Sequence, residues 1–125
     1  MKELRRHPRY RLRWPAVVLL GQDVGTAPQI QARIFDLSMG GASILSEEYL
    51  RGVDRMTLFL LPPPLAVGEK PACITVRSRL VYSVHSSDHM CFRAGLQFLR
   101  FEGDSRFLLE ERLACHLPAI DRLTT

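Results

Sequence analysis

The sequence predicts a mainly β domain of about six short, mostly antiparallel strands, with one C-terminal helix covering an end or edge of a small barrel or sandwich. Three observations carry this. Several short segments alternate apolar and polar residues, the connections between them are rich in turn formers, and a single late stretch repeats with a helical period. At 125 residues, 46% hydrophobic and 24% charged, the chain holds one domain. It is long enough to bury a core without disulfides or a structural metal.

The elements follow in order. Trp14–Gly21 is β-rich, with Pro15 at its start, where a strand tolerates proline. Ile30, Ala32 and Ile34 alternate with Gln31 and Arg33. The turn signal Met39-Gly40-Gly41 follows, and Ala42 and Ile44 continue a short strand. Ser46–Gly52 is read as one helical turn, and Arg55–Leu61 as a buried strand. After the Pro- and Gly-containing connection Pro62–Pro71, Ala72–Val84 and Cys91–Phe101 flank the polar break His85–His89 and predict a hairpin. Gly103-Asp104-Ser105 then supplies cap residues, and Leu109, Leu113 and Leu117 recur at helical spacing over Phe107–Leu117, before Pro118.

Composition excludes several function classes. The apolar runs Ala16–Leu20 and Met56–Val67 are too short or proline-broken to span a bilayer, and the N-terminus lacks a convincing secretory cleavage site, so a cytoplasmic protein without membrane insertion is expected. Cys73, Cys91 and Cys115 are far apart and odd in number, which predicts three small buried hydrophobes rather than disulfides. His85 and His89 flank Asp88, but this stretch reads as a hairpin turn and not as the helix that would bring the two rings together, so a solvated turn is expected rather than a metal site. Glu110-Glu111 reads as a solvated helix face. With no nucleophile elbow, P-loop or dinucleotide fingerprint, no enzyme activity and no cofactor are expected.

Charge is the informative feature. Met1–Trp14 holds six basic residues against Glu3, so the first 14 residues carry the whole excess of the net +4. Five of the six are arginines, whose planar forks bind phosphate or a guanine edge and stack on rings. An arginine arm on a near-neutral body is either an anion-binding device or a solvated basic tail.

Two motifs sharpen this. Arg5-Arg6-His7-Pro8-Arg9 contains an Arg-x-x-x-Arg, a weak signal alone because the spacing recurs at Arg9/Arg13 and Arg51/Arg55. Asp36-Leu37-Ser38-Met39-Gly40-Gly41 is an Asp-x-Ser-x-x-Gly, a rarer pattern. As a plain turn, Asp36 and Ser38 would bond local N–H groups and Gly41 would take a positive φ.

Together the two motifs, with Arg79-Leu80-Val81-Tyr82 and Arg93-Ala94-Gly95-Leu96-Gln97-Phe98 in the same order and spacing, resemble the PilZ domain family of cyclic di-GMP receptors from Leu4 to the C-terminal helix. The resemblance implies a six-stranded antiparallel β-barrel with a C-terminal α-helix. It divides the chain into a flexible arm at 1–13, the barrel and helix at 14–118, and a tail at 119–125. It also implies that Arg5 and Arg9, helped by Arg6, fork onto phosphate or guanine. Asp36 would accept from guanine N1–H and the 2-amino group, and Ser38 would donate or accept as the geometry requires. Gly40 and Gly41 would let the ligand approach the backbone, and Tyr82 would stack on guanine, where the family more often has Trp. Leu4 stands where another basic residue is common, which favours one ligand molecule over a stacked pair.

The implied mechanism is an order–disorder switch. The arm, mobile without ligand, is drawn across the barrel by the phosphates and presents a new surface to an effector protein in trans. A monomer or weak dimer is expected. Two other readings compete. One is a PilZ-like interaction module without ligand binding, against which the intact motif residues count. The other is a small barrel binding single-stranded nucleic acid, which would want several exposed aromatics along a groove, where only Tyr82, Tyr10 and Trp14 are candidates.

Overall fold

The computed structural model describes residues 7–21, 28–50 and 54–118. Six strands form: β1 (Pro15–Leu20), β2 (Gln29–Leu37), β3 (Gly41–Ser46), β4 (Arg55–Leu60), β5 (Ile74–Ser86) and β6 (Cys91–Phe101), followed by α1 (Ser105–Leu113). They close into a barrel in the order β1-β2-β3-β6-β5-β4, every neighbouring pair antiparallel.

Alternation explains the closure. Ile30 and Ile34 on β2, Ile44 on β3, Leu58 on β4 and Val76 on β5 all point into one continuous core. Each such burial stabilises by about 1.5–3 kcal/mol. Helix α1 adds Leu109 and Leu113 to that core, and the Ser105 hydroxyl accepts the Thr75 N–H at 2.9 Å, fixing the helix start to β5.

Three bulges break the alternation, and they decide which side chains reach the outer wall. Along β2 the register with β3 shifts between Ile34 and Asp36, so Leu37 turns inward opposite Ala42 and Asp36 turns outward opposite Ser43. Along β5–β6 a shift between Leu80 and Tyr82 leaves Val81 as the extra residue and sets Tyr82 opposite Gly95. A further shift between Arg77 and Ser78 leaves Leu99 unpaired.

Several expectations are corrected. Residues 10–13, assigned to the arm, run along the barrel: Tyr10 and Leu37 exchange backbone hydrogen bonds of 2.7 and 2.9 Å, and Leu12 and Trp14 are buried. The alternating apolar positions 10, 12 and 14 give this segment a face to bury. Residues 1–6 and 119–125 lie outside the described residues. The helical turn at 46–52 is absent over residues 46–50, and Gly52 lies outside the described residues. Ser46 ends β3 and its hydroxyl donates to the Glu48 carbonyl, while Leu50 turns into the core.

The helix begins two residues earlier than expected and stops at Leu113. Leu117 is exposed. The residue before a proline is driven away from helical backbone, and the chain leaves through bonds from Cys115 N–H to Arg112 and from His116 N–H to Leu113. Asp104 occupies the N-cap without a side-chain bond. Of the cysteines only Cys91 is buried. Cys73 lies ahead of β5 and Cys115 beyond α1, outside the packed layers. Among the described residues no helix is long and apolar enough to cross a membrane.

Candidate functional site

Closure lines up residues distant in sequence as a row on the outer wall. Asp36 pairs with Ser43, Ser43 with Gly95, and Gly95 with Tyr82, crossing β2, β3, β6 and β5. The Ser43 and Tyr82 hydroxyls lie 3.3 Å apart above Gly95. A second row runs beside it through Gly41, Gln97, Arg79 and Arg55. The first row and, of the second, Gly41, Gln97 and Arg79 open onto a cleft of about 510 Å3, lined also by His7, Arg9 and Arg93, while Arg55 lies outside it.

At one end the Asp36 carboxylate, only 10% exposed, sits between two guanidiniums, with Arg9 Nη1 at 3.8 Å and Arg93 Nη2 at 4.0 Å. Both distances favour the charge but are too long for hydrogen bonds, so the carboxylate keeps acceptor capacity for an incoming N–H. Arg93 is fixed by its guanidinium lying 4.2 Å from the Phe35 ring centroid, and the Arg11 guanidinium approaches the same ring at 5.2 Å. The Arg93 Nε is buried without a hydrogen-bond partner among the described residues. At the other end Arg79 donates through Nε and Nη2 to the Gln97 amide oxygen, at 3.2 and 2.6 Å. Its charge is thus oriented, with no carboxylate paired to it among the described residues.

The turn between β2 and β3 closes on itself. Ser38 N–H donates to the Gly41 carbonyl, and the Ser38 hydroxyl accepts from Gly40 N–H at 3.1 Å. Among the described residues the Asp36 side chain makes no local bond of the kind a plain turn would give it; the bulge aims it at the arginines. Gly41 is not at positive φ. It is required by proximity: a Cβ would strike the Leu96 carbonyl oxygen on β6. A Cβ on Gly40 would meet the His7 ring, at 3.0 Å from its Cδ2, and touch the Ser38 hydroxyl at an ordinary 3.9 Å.

Of the residues singled out from sequence, Arg9, Asp36, Ser38, Gly40, Gly41 and Tyr82 all border this cleft. Arg5 and Arg6 lie outside the described residues. Sequence reasoning gave no role to His7, Ser43, Arg79, Arg93 or Gln97, which complete the walls. Arg79 and Arg93 each begin a segment that carried the family resemblance. Elsewhere, the His85 and His89 rings pack on Phe92 and Phe35 rather than on each other. Among the described residues no three His, Cys, Asp or Glu side chains gather as a metal would need.

Fold and site together define a small closed β-barrel with a guanidinium-walled cleft on its outer surface. The family model described as the PilZ domain matches residues 3–116, and the chain belongs to that family. Among solved structures it is similar to the Bacillus subtilis inhibitor of motility, MotI/DgrA, with a TM-score of 0.70 at 11% identity over 91% of this chain and 51% of that one. The PilZ domain of YcgR from Escherichia coli, solved with c-di-GMP, gives 0.58 at 15% identity over 90% and 91% of the two chains. PlzA from Borreliella burgdorferi, solved in complex with c-di-GMP, gives 0.52 at 13% identity over 89% and 49%. These likenesses establish the fold. The chain spans about half the length of MotI/DgrA. No curated protein matches the sequence.

Proposed function

We propose that this domain is a receptor for cyclic di-GMP, not an enzyme, and that it binds the nucleotide in the outer-wall cleft. The observation that carries the reading is the Asp36 carboxylate held between Arg9 and Arg93 at one end of a cleft whose other side is the Tyr82 ring. A guanine offers two N–H donors to the carboxylate and acceptors to a guanidinium, and its face suits an aromatic ring. The cleft volume of about 510 Å3 falls within the roughly 300–1,000 Å3 of small-molecule sites. The similar YcgR domain and PlzA were both solved with c-di-GMP, which supports the same ligand class.

In this reading Arg9, with Arg5 and Arg6 ahead of it, takes phosphate and guanine acceptor edges, and the unpaired Arg93 Nε gains an acceptor. Asp36 reads guanine, Ser38 contributes its remaining hydrogen-bonding capacity, and Gly40 and Gly41 leave the turn open to the ligand. Tyr82 stacks. Ligand phosphates draw the arginine arm onto the barrel and complete a surface for an effector protein in trans.

The test is calorimetric titration of cyclic di-GMP into the protein, with GTP as competitor and Arg9→Ala and Asp36→Ala as controls. Micromolar or tighter binding that both variants lose and GTP does not displace is expected. Silence with a folded protein would sink the receptor reading and leave an interaction module.

A further inference from the structure

The outer wall carries a second positive feature beside the cleft, and it breaks a rule of sheet stability. Arg55 on β4 stands directly opposite Arg79 on β5, and Arg77 on β5 directly opposite Arg100 on β6. Like charges in such cross-strand positions repel and destabilise the sheet. Glu102 relieves one pair, accepting from Arg77 Nε at 2.8 Å and lying 4.0 Å from Arg100. The other pair has no carboxylate among the described residues, because Arg79 is held by the neutral Gln97 amide. A local conflict kept without compensation marks a surface used for something other than stability.

The same place has an apolar centre. Leu99, the extra residue of the β6 bulge, is 43% exposed and lies with Arg55, Arg77 and Arg100 around a cleft of about 360 Å3. The cleft lining contains no aromatic side chain, so it offers no stacking platform for bases. Glu102 also lines the cleft and engages Arg77, which leaves Arg55 and the largely exposed Arg100 as the cations open to a partner; an apolar Leu99 flanked by two such forks fits a protein segment instead.

We propose that this wall docks an acidic segment of a partner protein, with an apolar side chain entering the cleft over Leu99 and flanking carboxylates taken by Arg55 and Arg100. The proposal rests on the charge pattern of the wall and not on the nucleotide reading. The two surfaces adjoin, since Arg79 lines the nucleotide cleft and pairs with Arg55.

The test is selection of a random peptide display library on the full chain, with counter-selection on an R55E/R100E variant. The selected peptides should carry several Asp or Glu residues around one apolar residue and weaken as salt rises. They should lose roughly tenfold or more in affinity for the variant. Arg55→Glu replaces a repulsion with an attraction to Arg79, and Arg100→Glu trades its 4.0 Å contact with Glu102 for an attraction to Arg77 opposite, so the variant should melt close to the parent. If it does melt lower, Arg100→Gln, at an exposed position, serves as the binding control. No enrichment, peptides without acidic bias, or undiminished binding to the variant would each overturn the proposal. So would an oligonucleotide or phosphatidylglycerol vesicles outcompeting the peptides for the same arginines. Cyclic di-GMP titration of Arg100→Gln, at a residue outside the nucleotide cleft, should match the parent, so failure of either reading is seen separately.

Discussion

The Tyr82 ring rests on Gly95: a Cβ at residue 95 would strike Tyr82 Cε1 and lie 2.7 Å from Cδ1. The glycine is what allows the ring to lie across the wall with its hydroxyl at Ser43. Gly95→Ala should therefore displace the ring and weaken cyclic di-GMP much as Tyr82→Ala does, by about 1 kcal/mol or roughly fivefold in Kd. Tyr82→Phe, which loses only the hydroxyl contact, should bind nearly as the parent. Unaltered affinity in Gly95→Ala would show that the ring does not stack on the ligand.

The two glycines of the turn should behave differently. Gly41→Ala forces a methyl group against the Leu96 carbonyl, so β3 and β6 must separate, at about 2–3 kcal/mol. Thermal unfolding should record a fall in Tm on the order of 10 °C. Gly40→Ala meets a His7 side chain that can swing aside, and should change Tm by only a few degrees. Equal losses at the two positions would contradict this account of the seam.

Trypsin should divide the N-terminal arginines into two groups. Arg11 and Arg13 flank Leu12, in the segment bonded at Tyr10 to Leu37, and should resist cleavage with or without ligand. Cleavage after Arg5 and Arg6 should slow when cyclic di-GMP is added, as mass spectrometry of a digestion time course would record. Identical rates in both conditions would refute the ordering of the arm.

Arg112 is the clamp of the proline-rich connection. Its buried guanidinium donates to the Pro63 carbonyl at 2.6 Å and to Glu69 at 3.0 Å. Arg112→Ala should cost about 2–3 kcal/mol and lower Tm on the order of 10 °C. Well below that Tm, nucleotide affinity should be unchanged, because the clamp lies outside the nucleotide cleft.

The strands were legible because Ile30, Ala32, Ile34 and their counterparts repeat with the period of a half-buried sheet. Asp36, Ser38 and Tyr82 were legible through motif order. The bulges were not, since an extra residue such as Val81 leaves no local mark in the sequence. With them went the outward turn of Asp36, the row to Tyr82, and the parts played by Ser43, Arg79 and Arg93, which converge only once β3 meets β6. Leu12 was misread because arginines on both sides hid its alternation with Trp14. The positive φ that a plain turn would ask of Gly41 is not found, and its neighbour across the seam supplies a steric reason for the glycine that no local sequence mark shows. Leu117 kept the helical spacing but had no surface to cover.

Pairing of β1 with β4 joins the ends of the sheet. Along the stretches where each described strand has a neighbour on both sides, such as Val76–Arg79 of β5 between β4 and β6, no edge is vacant, so a partner cannot be recruited there by extending the sheet with its own backbone. Recognition along those stretches must be written in side chains, where a single exchanged residue changes which partner is accepted. The same pairing denies those stretches the edge-to-edge stacking that begins aggregation. The wall can therefore change its side chains, and with them its partners, while the hydrogen-bonded barrel beneath stays the same.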